Sequence, residues 1–240
     1  MKTQVMAKKS GFTLLETVIA IGVLAVLLTG FMYVFGPAAS GIRRAINVQE
    51  ADRLASTLER EMTTLREEGS AGHATGFEKA YEWIEGSYDD KQAIFVYQYR
   101  GNPSDQRPDG TLAAMPTVQG NPGKDYVVQP MARRLNDPLF LEDLKAIEGG
   151  LFAVKCLQLT YTGTKDEMEA KPSSKGRITG PDGSGGGGGP EQYPDAVIAF
   201  AAEFHSMPAK TIEYLKSTPF KTRFEKSNNP VFVRNIAVRR

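Results

Sequence analysis

The chain has one cysteine, two histidines and one tryptophan among its 240 residues. A single cysteine, Cys156, excludes any disulfide within the chain. It lies in the apolar run Leu151–Tyr161, where a thiol behaves as a small hydrophobic side chain rather than a nucleophile. His73 and His205 stand far apart in sequence, without a His-Glu-x-x-His pattern or a cysteine pair, so no metal site is expected. No Gly-x-Ser-x-Gly turn occurs either. A Cys156–His205 nucleophile pair is conceivable in principle, but a lone cysteine inside an apolar strand is usually structural. Neither an enzymatic activity nor a cofactor is expected. Charge of one sign is also lacking: 29 basic and 28 acidic side chains argue against a general polyanion-binding role. The acidic groups Asp89-Asp90, Glu142-Asp143 and Asp166-Glu167-Glu169 read as solvated faces. The glycine-rich run Gly183–Pro190 is not followed by Gly-Lys-Ser/Thr and does not read as a phosphate loop.

What the chain does have is one long apolar run near its start. Lys8-Lys9-Ser10-Gly11 leads into 24 residues, Phe12–Phe35, in which Glu16 is the only charge. As a helix these residues extend about 36 Å, enough to cross a hydrocarbon core of about 30 Å. Lys2, Lys8 and Lys9 precede the run without an acidic residue, which predicts a cytoplasmic N-terminus. The run is longer than the core of a cleavable secretory signal, and Phe31-Met32-Tyr33-Val34-Phe35 offers no small-residue cut site. A plain anchor leaves Glu16 unexplained, because ionisable groups within membrane spans usually have a partner.

The short basic leader, the string Gly11-Phe12-Thr13-Leu14-Leu15-Glu16 and the apolar run resemble the type IV prepilin signal of pilins and secretion-system pseudopilins. The resemblance covers about 25 residues, and its elements must sit at fixed spacing. It implies removal of residues 1–11 by a membrane prepilin peptidase cutting between Gly11 and Phe12, then N-methylation of Phe12. It also implies that Glu16, fifth in the mature chain, docks on the Phe12 amine of a neighbouring subunit. Retention of the apolar segment follows, since it becomes the core of a fibre. Without Lys2, Lys8 and Lys9 the 29 basic side chains become 26 against 28 acidic ones, a formal −2. Many major pilins carry a disulfide near the C-terminus, and this chain cannot. Some pseudopilins bind calcium through loop carboxylates, but Asp166–Glu169, the nearest candidate, lacks the spacing of a calcium loop.

Beyond the run, Gly36-Pro37 predicts a kink or short break, since proline removes a backbone donor and crowds the carbonyl of Tyr33. Ile42, Ile46, Leu54, Leu58, Met62 and Leu65 recur at helical spacing with charges between them, predicting an amphipathic helix to Glu68, stopped by Gly69. Short elements should follow: a helix over Phe77–Glu85, strands at Ala93–Tyr99 and Asp125–Gln129 around a loop at Gly101–Gly123, and a helix from Asp137-Pro138 to Glu148 closed by Gly149. Strands are expected at Leu151–Thr162 and Ala196–Phe204, separated by a mobile loop, 163–195. A short helix at Pro208–Lys216 and a hairpin pairing Phe220–Lys226 with Val231–Val238 complete the reading. Lys221, Arg223, Arg234, Arg239 and Arg240 would form a modest basic cluster there, which we do not read as a nucleic-acid site.

The expected plan is α+β and pilin-like: a long N-terminal helix, with a membrane half (12–35) and an amphipathic half (36–68), packed on a mainly antiparallel sheet domain (69–240). The resemblance implies a single-pass protein of a bacterial inner membrane, its globular domain in the periplasm, later part of a periplasmic or surface fibre. Expected partners are other pilin or pseudopilin subunits, the prepilin peptidase, the inner-membrane assembly platform and, before assembly, lipid. The function this implies is that of a minor subunit in a type II secretion or type IV pilus system. The alternative is a membrane-tethered periplasmic binding domain that keeps its leader.

Overall fold

The computed structural model describes residues 13–66, 73–117, 120–162, 169–172, 176–180 and 188–240. The chain divides into two compact units, Met1–Ala45 and Ile46–Arg240. Helix α1 (Leu14–Thr63) contributes residues to both. In the first unit every described residue is solvent-exposed. The helix runs on through Gly36 and Pro37 without a break, and the Ser40 hydroxyl donates to the Pro37 carbonyl at 2.8 Å.

The second unit is built on an antiparallel sheet whose strands alternate their side chains between two buried faces. Strand β1 (Ile94–Gln106) is flanked over its first half by β3 (Val127–Arg134) and β4 (Ile147–Thr162). Outward from β4 come β6 (Val197–Ser206) and β7 (Phe232–Arg239). Two short strands, β2 (Leu112–Ala114) and β5 (Glu169–Pro172), lengthen the sheet beside β1 and β4. One face carries Ile94, Val96, Phe152, Val154, Phe200 and Phe204 against Ala51, Leu54, Ala55, Leu58 and Met62 of α1 and against α2 (Gly76–Gly86). The other carries Phe95, Tyr97, Tyr99 and Ala153 against α3 (Pro138–Asp143) and α5 (Thr218–Lys226). Because both faces are covered, Ile94–Gly101 is buried residue after residue, and no polar alternation remains to mark it as a strand. Each fully buried Leu or Phe stabilises this arrangement by about 1.5–3 kcal/mol.

The end of α1 is set by tertiary contacts rather than by a glycine. The predicted end at Glu68 with Gly69 behind it lies outside the described residues, and the helix stops at Thr63. Lys79 of α2 reaches the freed carbonyls, donating to Glu61 O at 2.7 Å and Thr64 O at 2.6 Å. Arg66 folds back to grip the buried Glu61 carboxylate through two nitrogens, at 2.9 and 2.8 Å. Terminal carbonyls of a helix need such partners. The apolar stripe likewise stops short of its predicted extent: Leu54, Leu58 and Met62 are buried, whereas Ile42 and Ile46 remain 62% and 55% exposed. Thr75 starts α2, accepting from Glu78 N, while the Glu78 carboxylate accepts from Ala74 N, a reciprocal cap.

Several other expectations are corrected. The stretch Gly101–Gly123, expected as a loop, instead continues β1 to Gln106 and supplies β2. The helix begun by Asp137-Pro138 ends at Asp143, followed by one 3-10 turn, and β4 already starts at Ile147. Gly149 is not a helix stop but part of a β-bulge, its φ of +69° opening a register shift between Tyr97 and Gln98. The bulge presents Gly150 N to the Glu50 carboxylate of α1 at 2.5 Å. The segment 163–195, expected as one loop, contributes β5 and buries Ile178 and Tyr193 in the core. Its glycine run falls largely outside the described residues.

The expected C-terminal hairpin does not form. Phe220–Lys226 lies in helix α5, which Ser217 caps by accepting from Phe220 N and Pro219 supports in its first turn. This spacing puts Phe220 and Phe224 on one buried face. Strand β7 pairs with β6 instead. The preceding helix α4 covers only Ile212–Leu215.

Beneath α3 lies a buried ionic network centred on Arg133. Its guanidinium donates to Asp143 at 3.1 Å, Asp109 at 2.7 Å and Asp137 at 3.0 Å. Asp143 also accepts from the Tyr97 hydroxyl at 2.7 Å and Arg107 at 2.8 Å, so each carboxylate oxygen taken from water finds a donor. Burial raises the Asp143 pKa, and Arg133, Tyr97 and Arg107 offset this only in part. For Asp109 burial acts the same way, but hydrogen bonds from Thr111 and Arg133 win and hold it below the ordinary value.

Replacing Arg133 by methionine strands Asp109 and Asp143 without their shared cation. We expect a loss of about 3–5 kcal/mol, read as a lower denaturant midpoint, with unaltered stability as the contrary result. A second expectation concerns alkaline pH. Burial is the chief cause that pushes the Lys79 ammonium down to about 8 from 10.5. Between these values the unfolded chain holds the proton more tightly, so stability rises with pH across that window. In parallel melts, wild type should gain on Lys79→Met from pH 8 to 10.5; equal slopes would contradict the assignment.

Candidate functional site

The residues singled out for function gather at the start of α1. Gly11 and Phe12, the proposed cleavage and methylation positions, lie outside the described residues. Thr13 is the first described residue, and its hydroxyl accepts from Glu16 N at 3.3 Å, capping the helix. Thr13-x-x-Glu16 has the spacing of a capping box, a signal present in the sequence that the reading above passed over. The cap fixes the first turn and places the Glu16 carboxylate at the positive end of the helix dipole, where an anion is favoured. No described side chain pairs with that carboxylate.

Around and beyond Glu16 the helix is apolar on every side. Leu14, Leu15, Val18, Ile19, Ile21 and Val23 begin a series of exposed large hydrophobic residues that runs to Phe35. None of the residues of this apolar stretch is buried. An apolar stripe on one side alone would mark a surface helix; apolarity all round demands an apolar surrounding on every side. The helix is therefore long and apolar enough to cross a membrane. Phe31 and Phe35 stack with ring centroids 3.9 Å apart, and Gly36 and Pro37 follow within the same helix.

The remaining candidates from the sequence do not converge. Cys156 is buried, its backbone N–H donating to Ser87 Oγ at 2.9 Å, and burial pushes its thiol pKa well up. Cys156 faces the α1 side of the sheet, whereas His205 pairs with Ala153, which belongs to the other face. These two side chains therefore cannot form a nucleophile–base pair. His205 instead exchanges a hydrogen bond with Ser227 Oγ at 2.8 Å, and His73 meets Glu82 at 3.1 Å. No group of three metal-ligating side chains occurs among the described residues. Asp166 and Glu167 lie outside those residues. The anticipated basic cluster is dispersed: Lys221 pairs with Asp90, Arg234 lies near Asp52 and Glu59, and Arg240 donates to the Pro190 and Tyr193 carbonyls.

What the geometry brings together is thus a capped helix start, a lone carboxylate and a fully exposed apolar helix. A family profile described as the prokaryotic N-terminal methylation motif matches residues 6–32, which include Gly11, Phe12 and Glu16. No curated protein and no solved structure matches the chain. The chain carries the prepilin-type signal of type IV pilins and pseudopilins, at the head of an α+β, pilin-like arrangement of a long helix and a mainly antiparallel sheet.

Proposed function

We propose that this chain is a minor pseudopilin or minor pilin, a structural subunit of a type II secretion or type IV pilus-like fibre. The observation that carries the proposal is Glu16: one carboxylate, on a first turn capped by Thr13, in a helix otherwise apolar on all sides. In this reading the leader is cut between Gly11 and Phe12, and Phe12 is N-methylated. The new ammonium of one subunit then pairs with Glu16 of its neighbour as the helices pack. In an apolar setting such a pair is strong and a lone charge costly, so the register of packing is enforced. Pro37, lacking a backbone donor, and Gly36 supply the point at which the helix bends during packing. Before assembly the span rests in the inner membrane with the sheet domain in the periplasm, served by the prepilin peptidase and the assembly platform. Segment 163–195, inserted between β4 and β6, adds bulk that would crowd a lattice repeated at every step, which favours a minor over a major role.

Two measurements test this. N-terminal mass spectrometry of the chain from its native membranes should find a mature protein starting at N-methylated Phe12. A chain that keeps residues 1–11 where the prepilin peptidase is active would instead be a tethered domain. Glu16→Ala should be processed normally yet co-purify with partner subunits at least about a hundredfold less, as loss of roughly 3 kcal/mol implies. Normal incorporation of that variant would overturn the pairing.

A further inference from the structure

Between Glu16 and Arg43 no residue is charged. Along the continuous helix these 27 steps correspond to about 40 Å at about 1.5 Å each. A bilayer with both headgroup layers measures about 40–45 Å. The two ends of the uncharged stretch are thus spaced so that its flanking charges reach opposite headgroup layers at once. At the far end Arg43 and Arg44 are both exposed, and no described residue pairs with either. Helical side chains lean toward the N-terminus, and long cationic ones keep their stems on apolar surface while their heads reach polar groups. Both guanidinium groups are thereby directed back toward the membrane. Beside them Ile42 and Ile46 are exposed.

We propose that Arg43 and Arg44 form a binding site for anionic phospholipid headgroups, in the leaflet at the C-terminal end of the span. The guanidinium forks take the lipid phosphates in charge-assisted hydrogen bonds, and Ile42 packs along the upper acyl chain. Removal of residues 1–11 would take Lys2, Lys8 and Lys9 from the other side of the span, leaving this pair as its nearest cationic side chains. The site then sets how deeply the mature subunit rides in the membrane before it leaves. The inference rests on the segment crossing a bilayer, and is independent of whether the subunit joins a fibre.

Wild type and the arginine variants, each as the full-length chain with Lys2, Lys8 and Lys9 replaced by glutamine so that the leader adds no cationic side chain, are reconstituted in nanodiscs of equal phosphatidylglycerol and phosphatidylcholine, released for native mass spectrometry, and their retained lipids counted. Wild type should keep phosphatidylglycerol in preference, by about fivefold per arginine, the ratio equivalent to about 1 kcal/mol for each cation near an anionic surface. Arg43→Gln/Arg44→Gln should lose that preference, while Arg53→Gln, an exposed cation further along the helix, should keep it. Equal retention of the two lipids by wild type would overturn the proposal. So would a preference that persists in the double variant, or one lost equally in Arg53→Gln. If lipid selection is unchanged but recovery with other subunits falls in the double variant, the arginines serve a protein contact and the lipid site is refuted. Because lipid retention needs no fibre, its failure is separable from failure of Glu16-dependent assembly.

Discussion

A helix that is apolar on all sides has no stable place in water, and this constraint governs the first unit. From Leu14 to Phe35 no side chain is buried within the chain. At about 25 cal/mol per Å² of apolar surface, exposing even a few such residues to water costs several kcal/mol. The surroundings must therefore be supplied from outside, by acyl chains or by other helices of the same character. Lipid tails and leucine side chains are about equally apolar, so exchanging one for the other changes little hydrophobic free energy. Register and direction must then come from the few polar groups present, and Glu16 is the only charge within the span.

The second unit obeys different physics. Its part of α1 buries one stripe, and the sheet is covered on both faces. Its buried charges meet partners: Lys79 meets terminal carbonyls, Arg66 meets Glu61, and Arg133 gathers three aspartates. Breaking such matches is costly because a charge is left without water or a partner, even where forming them contributes little net stability. Their principal effect is on geometry. The Arg133 network fixes where α3 and the excursion from Arg107 to Thr111 sit against β3.

Much of this was legible in the sequence. The apolar run with its single charge, the Asp137-Pro138 helix start and the strands containing Ala93–Tyr99 and Leu151–Thr162 follow from composition and local spacing. The failures have physical causes. The hairpin expected of Phe220–Lys226 gives way to a helix because Ser217 and Pro219 form a helix start and Phe220 and Phe224 stand one helical turn apart. The end of α1 was hidden because its cap comes from Lys79, which no local rule connects to Thr63. Glycine-149 looked like a helix stop, though its positive φ serves a bulge whose partner, Glu50, is a hundred residues away. Among the candidate residues, Glu16 was visible from charge alone, and the Thr13 cap was legible too, in the Thr13-x-x-Glu16 spacing, though the expectation did not include it.

The margins of the sheet bear on how copies of this chain meet. Among the described strands β3 and β7 each have a single neighbour, so each leaves one row of backbone groups open. An open row invites another strand to extend the sheet, the route by which crowded β-proteins fuse irreversibly. Here β3 carries Pro130, which offers no N–H, and β7 ends in the exposed Arg239. A second positively charged margin brought alongside would be repelled. Strand addition is thus discouraged at β3 and β7, and one sheet is not readily built into another.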